Sequence, residues 1–211
     1  MPLDATGADA RFTIVVLAGG NATRLPGKLA LPIDGEPMLA RVLHALSATG
    51  APCLVAAGTR IPDAIAADDA VRVVYDEYPG EGPLAALVSA AAAVRTPYFF
   101  AVAGDMPGID AAFIGRVVAA AEAAHWPDAI VPLHPEGTLE PLAALYKREP
   151  WVMSARAALA KNRRNVSAAL DGLRVAYYQI VPEDEPALAN VNTPSDYKRL
   201  GSASRARDWR P

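Results

Sequence analysis

A single cysteine in 211 residues, Cys53, excludes a disulfide framework within the chain. It lies in the apolar run CLVAA, where the expected state is a buried thiol rather than a nucleophile. The three histidines, His44, His125 and His134, show neither HxxxH nor Cys/His spacing, so a structural zinc site is not expected. No serine stands in a GxSxG elbow and no Cys/His nucleophile pattern is present. Apolar runs of transmembrane length are also missing, and no membrane partner is expected. The first eleven residues carry Asp4 and Asp9 with only Arg11 as a cation, which argues against a signal peptide. Lys and Arg number 20 against 23 Asp and Glu, for a formal charge of -3, which excludes a broadly basic nucleic-acid binder. These absences leave a cytoplasmic globular protein as the expectation: a single domain over 11–201 with flexible termini at 1–10 and 202–211.

What is present is an alternation. The runs ARFTIVVLA, PCLVAAG, VRVVYD and PYFFAVAG read as strands, separated by the alanine-rich helical windows GEPMLARVLHALSA and GPLAALVSAAAAV and followed by AFIGRVVAAAEAA. Continuous rather than alternating apolar strands suit a sheet buried on both faces, so the expected fold class is α/β, a three-layer Rossmann-like arrangement with a mostly parallel sheet. The last third is less regular. DAIVPLHPEGTLEPLAALYKREP reads as two strands around a Glu-Gly turn, forming a hairpin beside the main sheet; WVMSARAALAKN reads as a helix and LRVAYYQIV as a strand. Thr193 before Pro194, with Asp196 soon after, is the pattern that caps and starts a terminal helix.

Ligands of open α/β sheets bind beyond the carboxyl ends of the strands, and three polar loops occupy such positions. The first follows FTIVVLA: paired glycines Gly19 and Gly20, then Arg24 and Lys28. Glycines there let phosphate oxygens approach main-chain N–H groups, and two cations can neutralise a polyanion. The loop has neither Walker nor GxGxxG spacing, and an ordinary strand-to-helix turn with a surface arginine and a solvated lysine is the alternative. The second segment, DEYPGEGPLAAL, spans residues 76–87, and Pro83 after Gly82 sits where a helix can begin, with its N-terminus facing the same edge. In the third, AVAGDMP, Asp105 immediately follows an apolar strand and suits a hard cation such as Mg²⁺ that is shared with substrate phosphates; Asp110 is the more natural cap for the helix that follows. Asn190 and Asn192 offer oxygens to a metal or substrate, or satisfy a local turn.

The pieces LAGGNATRLPGK, DEYPGEGPLAAL, AVAGDMP, VPLHPEGTLEPLAALYKR and ALANVNTPSDYKRL resemble, in order and across nearly the whole chain, the MobA-like NTP transferases related to the molybdenum cofactor guanylyltransferase. That resemblance implies a nucleotidyltransferase fold with a mixed sheet. The implied reaction moves GMP from GTP to the phosphate of molybdopterin and releases pyrophosphate, with Mg²⁺ as cofactor. The implied catalytic residues are Arg24, Lys28 and Asp105. The implied nucleotide-binding set is Leu17, Ala18, Gly19, Gly20, Lys28, Asp76, Gly82 and Pro83, with Asp105 as metal ligand and Asn190 and Asn192 as metal or substrate ligands. The implied partners are a nucleoside triphosphate and a phosphorylated pterin, for a monomer or weak homodimer. The loop RLPGK departs from the family by carrying Leu25 and Pro26 and by being short. Two alternatives share these loops: a cytidylyltransferase or sugar-phosphate nucleotidyltransferase, and a non-catalytic nucleotide-binding adaptor.

Overall fold

The computed structural model describes residues 10–19, 24–58, 61, 65, 71–78 and 80–200. Nine strands are present among them: β1 (Phe12–Ala18), β2 (Pro32–Ile33), β3 (Glu36–Pro37), β4 (Cys53–Ala57), β5 (Arg72–Tyr75), β6 (Tyr98–Ala103), β7 (Ala129–Leu133), β8 (Ala143–Lys147) and β9 (Val175–Gln179). The longer helices are α1 (Met38–Ser47), α2 (Pro83–Ala93), α3 (Ala111–Ala123) and α4 (Arg148–Ala160). Seven strands form one mixed sheet in the order β5-β4-β1-β6-β8-β7-β9, in which only β8 runs antiparallel to its neighbours. This is the α/β arrangement with a mostly parallel sheet expected from the alternation, and the antiparallel β8 gives it the mixed character that the resemblance implied.

The apolar strand runs are divided between two cores by the two-residue repeat of a strand. Ile14, Val16, Phe100 and Val102 face Leu39 and Val42 of α1 and Phe113 and Val117 of α3. Val15, Leu17, Phe99 and Ala101 face Leu84 and Leu87 of α2 and Trp151 and Ala155 of α4. A strand covered on both sides cannot alternate apolar and polar residues, which explains the unbroken runs. Phe99, Tyr146 and Trp151 form an aromatic trio, with centroids 5.0 Å apart between Phe99 and Trp151 and 5.4 Å between Tyr146 and Trp151. Burial of one such side chain contributes about 1.5–3 kcal/mol. Cys53 is partly buried, and burial pushes its thiol up to about 12, consistent with an inert packing residue.

Three local expectations are corrected. The β7–β8 hairpin does not lie beside the main sheet. It belongs to it, because β8 pairs with β6 through Tyr98↔Lys147 to Val102↔Ala143 and with β7 through Ala129↔Tyr146. The Glu-Gly turn itself is present, with Gly137 at φ 94°. The first helical window starts late: Asp34 and Gly35, at φ 52° and 85°, make a two-residue hairpin turn between β2 and β3, and α1 begins only at Met38. Conversely, α4 begins at Arg148 instead of Trp151, since Pro150 is tolerated in a first helical turn.

Candidate nucleotide site at the end of the parallel strands

β1 lies between β4 and β6, and the chain leaves β1 toward β4 before returning to build β6 on the other side. The crevice beyond β1 and β6 is therefore the point where the strand order reverses. Close backbone approach closes this end of the sheet. A Cβ at Gly104 would stand 2.7 Å from the Leu17 carbonyl oxygen, which accepts the Gly104 N–H at 2.9 Å. A Cβ at Gly19 would stand 2.8 Å from the nitrogen of Gly58, just past β4. Glycine at these two positions draws the ends of β1, β4 and β6 together, a requirement beyond flexible phosphate contact.

Lys28 opens a short 3₁₀ turn, Lys28–Ala30, after Gly27 at φ 68°. Its ammonium pairs with the Asp105 carboxylate and donates to Asn192 Oδ1 at 2.8 Å. The Lys28 and Asp105 side chains are only 15% and 16% exposed, so their attraction is screened less than that of a surface pair. The third segment is fixed by its main chain: Val191 N–H donates to the Asp105 carbonyl at 2.9 Å. Asn192 and Thr193 N–H both donate to Asp196 Oδ2, at 3.0 and 2.8 Å, and the Asp196 N–H donates back to Thr193 Oγ1 at 3.2 Å. This reciprocal pair caps the helix over 194–200 as the sequence led one to expect. The Thr193 side chain, the Asn192 N–H and the Arg199 guanidinium hold the Asp196 carboxyl down to about 2. Asp110 likewise caps α3, accepting the Phe113 N–H at 2.8 Å, which leaves Asp105 free of a capping role.

The sequence candidates thus separate. Lys28, Asp105 and Asn192 converge. Asn190 is turned to local work, its Nδ2 donating to the Leu188 carbonyl at 3.3 Å. Arg24 is exposed. Leu17 and Ala18 are buried, so what they offer a ligand is main chain. Gly20 lies outside the described residues.

The second loop forms its own cluster. Asp76 N–H donates to the Ala57 carbonyl at 2.8 Å, which ties the end of β5 to the end of β4. Asp76 Oδ1 accepts from the Tyr78 N–H at 3.0 Å and from Ser89 Oγ at 3.1 Å. Gly82, at φ 93°, turns the chain into α2, and Pro83 begins it with no side-chain cap. Uncapped N–H groups at such a helix start suit an anion or a carbonyl oxygen. Beside this loop a groove of about 550 Å³ runs between α2 and α4, lined by Tyr78, Glu81, Ala85, Leu159, Arg156 and Arg164. Arg164 pairs with Glu81 and donates to Asn162 Oδ1 at 2.8 Å. Neither arginine was singled out by sequence, because a cation within an alanine-rich helix, like Arg156, or just after one, like Arg164, carries no motif.

Among the described residues no group of three His, Cys, Asp or Glu side chains is placed to hold a metal ion. Asp105 and Asn192 nevertheless present oxygens to one cationic group, the Lys28 ammonium. One carboxylate and one amide oxygen fit Mg²⁺, which takes few protein oxygens and completes its shell with water and substrate phosphates. No described helix is long and apolar enough to cross a membrane.

Comparison with known proteins gives a consistent picture. A family model of the MobA-like NTP transferase domain matches residues 14–175. The probable molybdenum cofactor guanylyltransferase of Natronomonas pharaonis is 31% identical over 196 residues, covering 89% of this chain and 95% of that protein. The probable molybdenum cofactor guanylyltransferase of Chloroflexus aggregans is 32% identical over 200 residues, covering 87% and 90%. The crystal structure of molybdopterin-guanine dinucleotide biosynthesis protein A from Archaeoglobus fulgidus shares the fold, with a TM-score of 0.76 at 22% identity over 92% of this chain and 99% of that one.

Proposed function

Because the chain belongs to the MobA-like NTP transferases, nucleotidyltransferase-superfamily enzymes that act on a nucleotide, we propose that it transfers GMP from GTP to the phosphate of molybdopterin and releases pyrophosphate. The observation that carries this reading is the convergence of Lys28, Asp105 and Asn192 from three separate segments at the reversal of strand order. The curated relatives named above supply the choice of guanylyl donor and pterin acceptor.

In the proposed reaction an acceptor phosphate oxygen attacks the α-phosphorus of GTP in line. One O–P bond forms, the bond from the α-phosphorus to the bridging oxygen breaks, and pyrophosphate carries that electron pair away. The nucleophile is already an anion, so the chain needs neither a general base nor a covalent intermediate; its task is placement and neutralisation of charge. Gly19 opens the backbone to the phosphates, and Lys28 with Arg24 balances charge on the departing pyrophosphate. The first turn of α2, after Gly82 and Pro83, offers N–H donors to the nucleobase or a phosphate. Asp105, with Asn192 as an oxygen donor, would hold Mg²⁺, which when bound supplies Lewis-acid neutralisation of phosphate oxygens.

The test is pyrophosphate release from each of the four nucleoside triphosphates with Mg²⁺, with and without molybdopterin. Acceptor-dependent release from GTP is expected. Release from CTP, or only with a different acceptor, would overturn the named substrates, and nucleotide binding without any release would identify an adaptor instead.

A further inference from the structure

We propose that Ser89 is a positioning residue that sets the conformation of the 76–78 segment through the Asp76 carboxylate; the role in catalysis rests on the nucleotidyl-transfer reading above. Ser89 is the only polar side chain in α2, PLAALVSAAAA, and is 5% exposed. A serine within a helix commonly returns its hydroxyl to the carbonyl four residues back, and Ser89 Oγ does lie 3.1 Å from the Ala85 oxygen. That contact alone gives no reason to prefer serine, since alanine is the better helix former.

The other neighbours of Ser89 Oγ supply the reason. It stands 3.1 Å from Asp76 Oδ1 and accepts the Glu77 N–H at 3.2 Å. The hydroxyl has one proton for two acceptors, and a carboxylate oxygen outcompetes a neutral carbonyl for it. Asp76 Oδ1 also accepts the Tyr78 N–H, so residues 76, 77 and 78 are all referred to one buried oxygen on α2. The network continues through the Asp76 N–H to Ala57, the residue before Gly58, against which Gly19 packs. A single hydroxyl therefore links the loop bordering the helix start to the strand end that supports the glycine loop.

Farther along the chain Gly80 and Gly82 stand at φ 88° and 93°, positions whose backbone freedom would be lost on ordering around a ligand. Fixing 76–78 in advance lowers that ordering cost, and so favours nucleotide binding more than the chemical step.

The experiment uses the full chain and combines steady-state kinetics with amide hydrogen exchange on Ser89→Ala, Ser89→Thr, Asp76→Ala and the double variant Ser89→Ala/Asp76→Ala. Ser89→Ala is expected to raise the nucleotide KM about tenfold, the size of a lost hydrogen bond to a charged group, with kcat within about twofold. Exchange at Glu77 and Tyr78 should accelerate at least about tenfold, Ser89→Thr should recover part of the KM, and the double variant should be no worse than the poorer single, as for residues acting as one unit. Faster exchange with an unchanged KM, or multiplicative effects in the double variant, would overturn the inference. Wild-type protein that bound no nucleoside triphosphate would instead overturn the underlying reading, whatever the exchange data showed.

Discussion

Lys28 Nζ donates to Asn192 Oδ1 at 2.8 Å while the same ammonium pairs with Asp105, so one flexible lysine is oriented by oxygens from two distant parts of the chain. A lysine free in solvent would lose rotamer freedom on meeting a triphosphate, and this one has already lost much of it. Preorganised charge of this kind is what accelerates a reaction in which charge shifts onto a leaving group.

Lys28→Ala should lower kcat by roughly two orders of magnitude, as does removal of one preorganised donor elsewhere. Steady-state pyrophosphate release checks this, and an effect confined to KM would make Lys28 a uniform binder of ground and transition states. Asn192→Ala should be milder, and the Lys28→Ala/Asn192→Ala pair should be less than multiplicative because the two side chains share one hydrogen bond.

Asp105→Ala should remove most turnover while leaving the fold intact. The carboxylate lies in a turn at the strand end, outside both apolar cores, and its backbone carbonyl, which holds Val191, survives the substitution. Circular dichroism should match wild type, and Mn²⁺ binding in the presence of nucleotide, followed by electron paramagnetic resonance, should weaken. Near-normal Mg²⁺-dependent turnover would remove Asp105 from the site.

The Asp196 carboxyl should titrate with a midpoint of about 2, read from its carboxyl carbon resonance. Its folded value lies below the ordinary carboxylate value of about 3.9, so the stabilisation it gives is fully present above that value and is lost as the pH falls through about 2. Thr193→Ala should move the midpoint upward, because the Thr193 side chain is the leading cause of the shift. Acid in this window should first loosen the Asn192–Thr193 turn, visible as faster exchange of those two amides.

Trp151→Ala should destabilise the protein by about 3–5 kcal/mol in urea unfolding, the range for truncating a fully buried tryptophan. The indole is 0% exposed and packs against both Phe99 and Tyr146. At temperatures where the variant stays folded, its turnover should be close to wild type, since the trio belongs to the core under α2 and α4.

Much of the fold was legible because β1, apolar from Ile14 to Ala18, and β6 demand cover on both faces, and because α/β alternation orders such strands. The position of β8 was not legible: pairing with β6 rather than only with β7 is a long-range choice that neither turn residues nor periodicity encode. Asp34-Gly35 is a readable hairpin signal that the helical window divides by starting at Gly35, since the methionine and leucines that follow dominate that window's periodicity. At the site, Asp105 stands out as a charge just past the end of β6 and Lys28 as the lysine that closes the glycine-bearing loop after β1, while Asn192 does so through its place before a capped helix. Ser89, by contrast, resembles any serine in an alanine-rich helix until the loop packed against it is seen.

The antiparallel insertion of β8 also bears on synthesis. A ribosome delivers β1, β4, β5 and β6 in an order that can assemble a four-stranded parallel unit, but β6 then waits with one hydrogen-bonding edge unpaired until β8 has emerged, after α3 and β7. Its sequence, YFFAVA, is apolar throughout. During that interval the nascent chain exposes a sticky edge to its neighbours on the polysome, and a chaperone that shields YFFAVA would matter most between the emergence of β6 and that of β8.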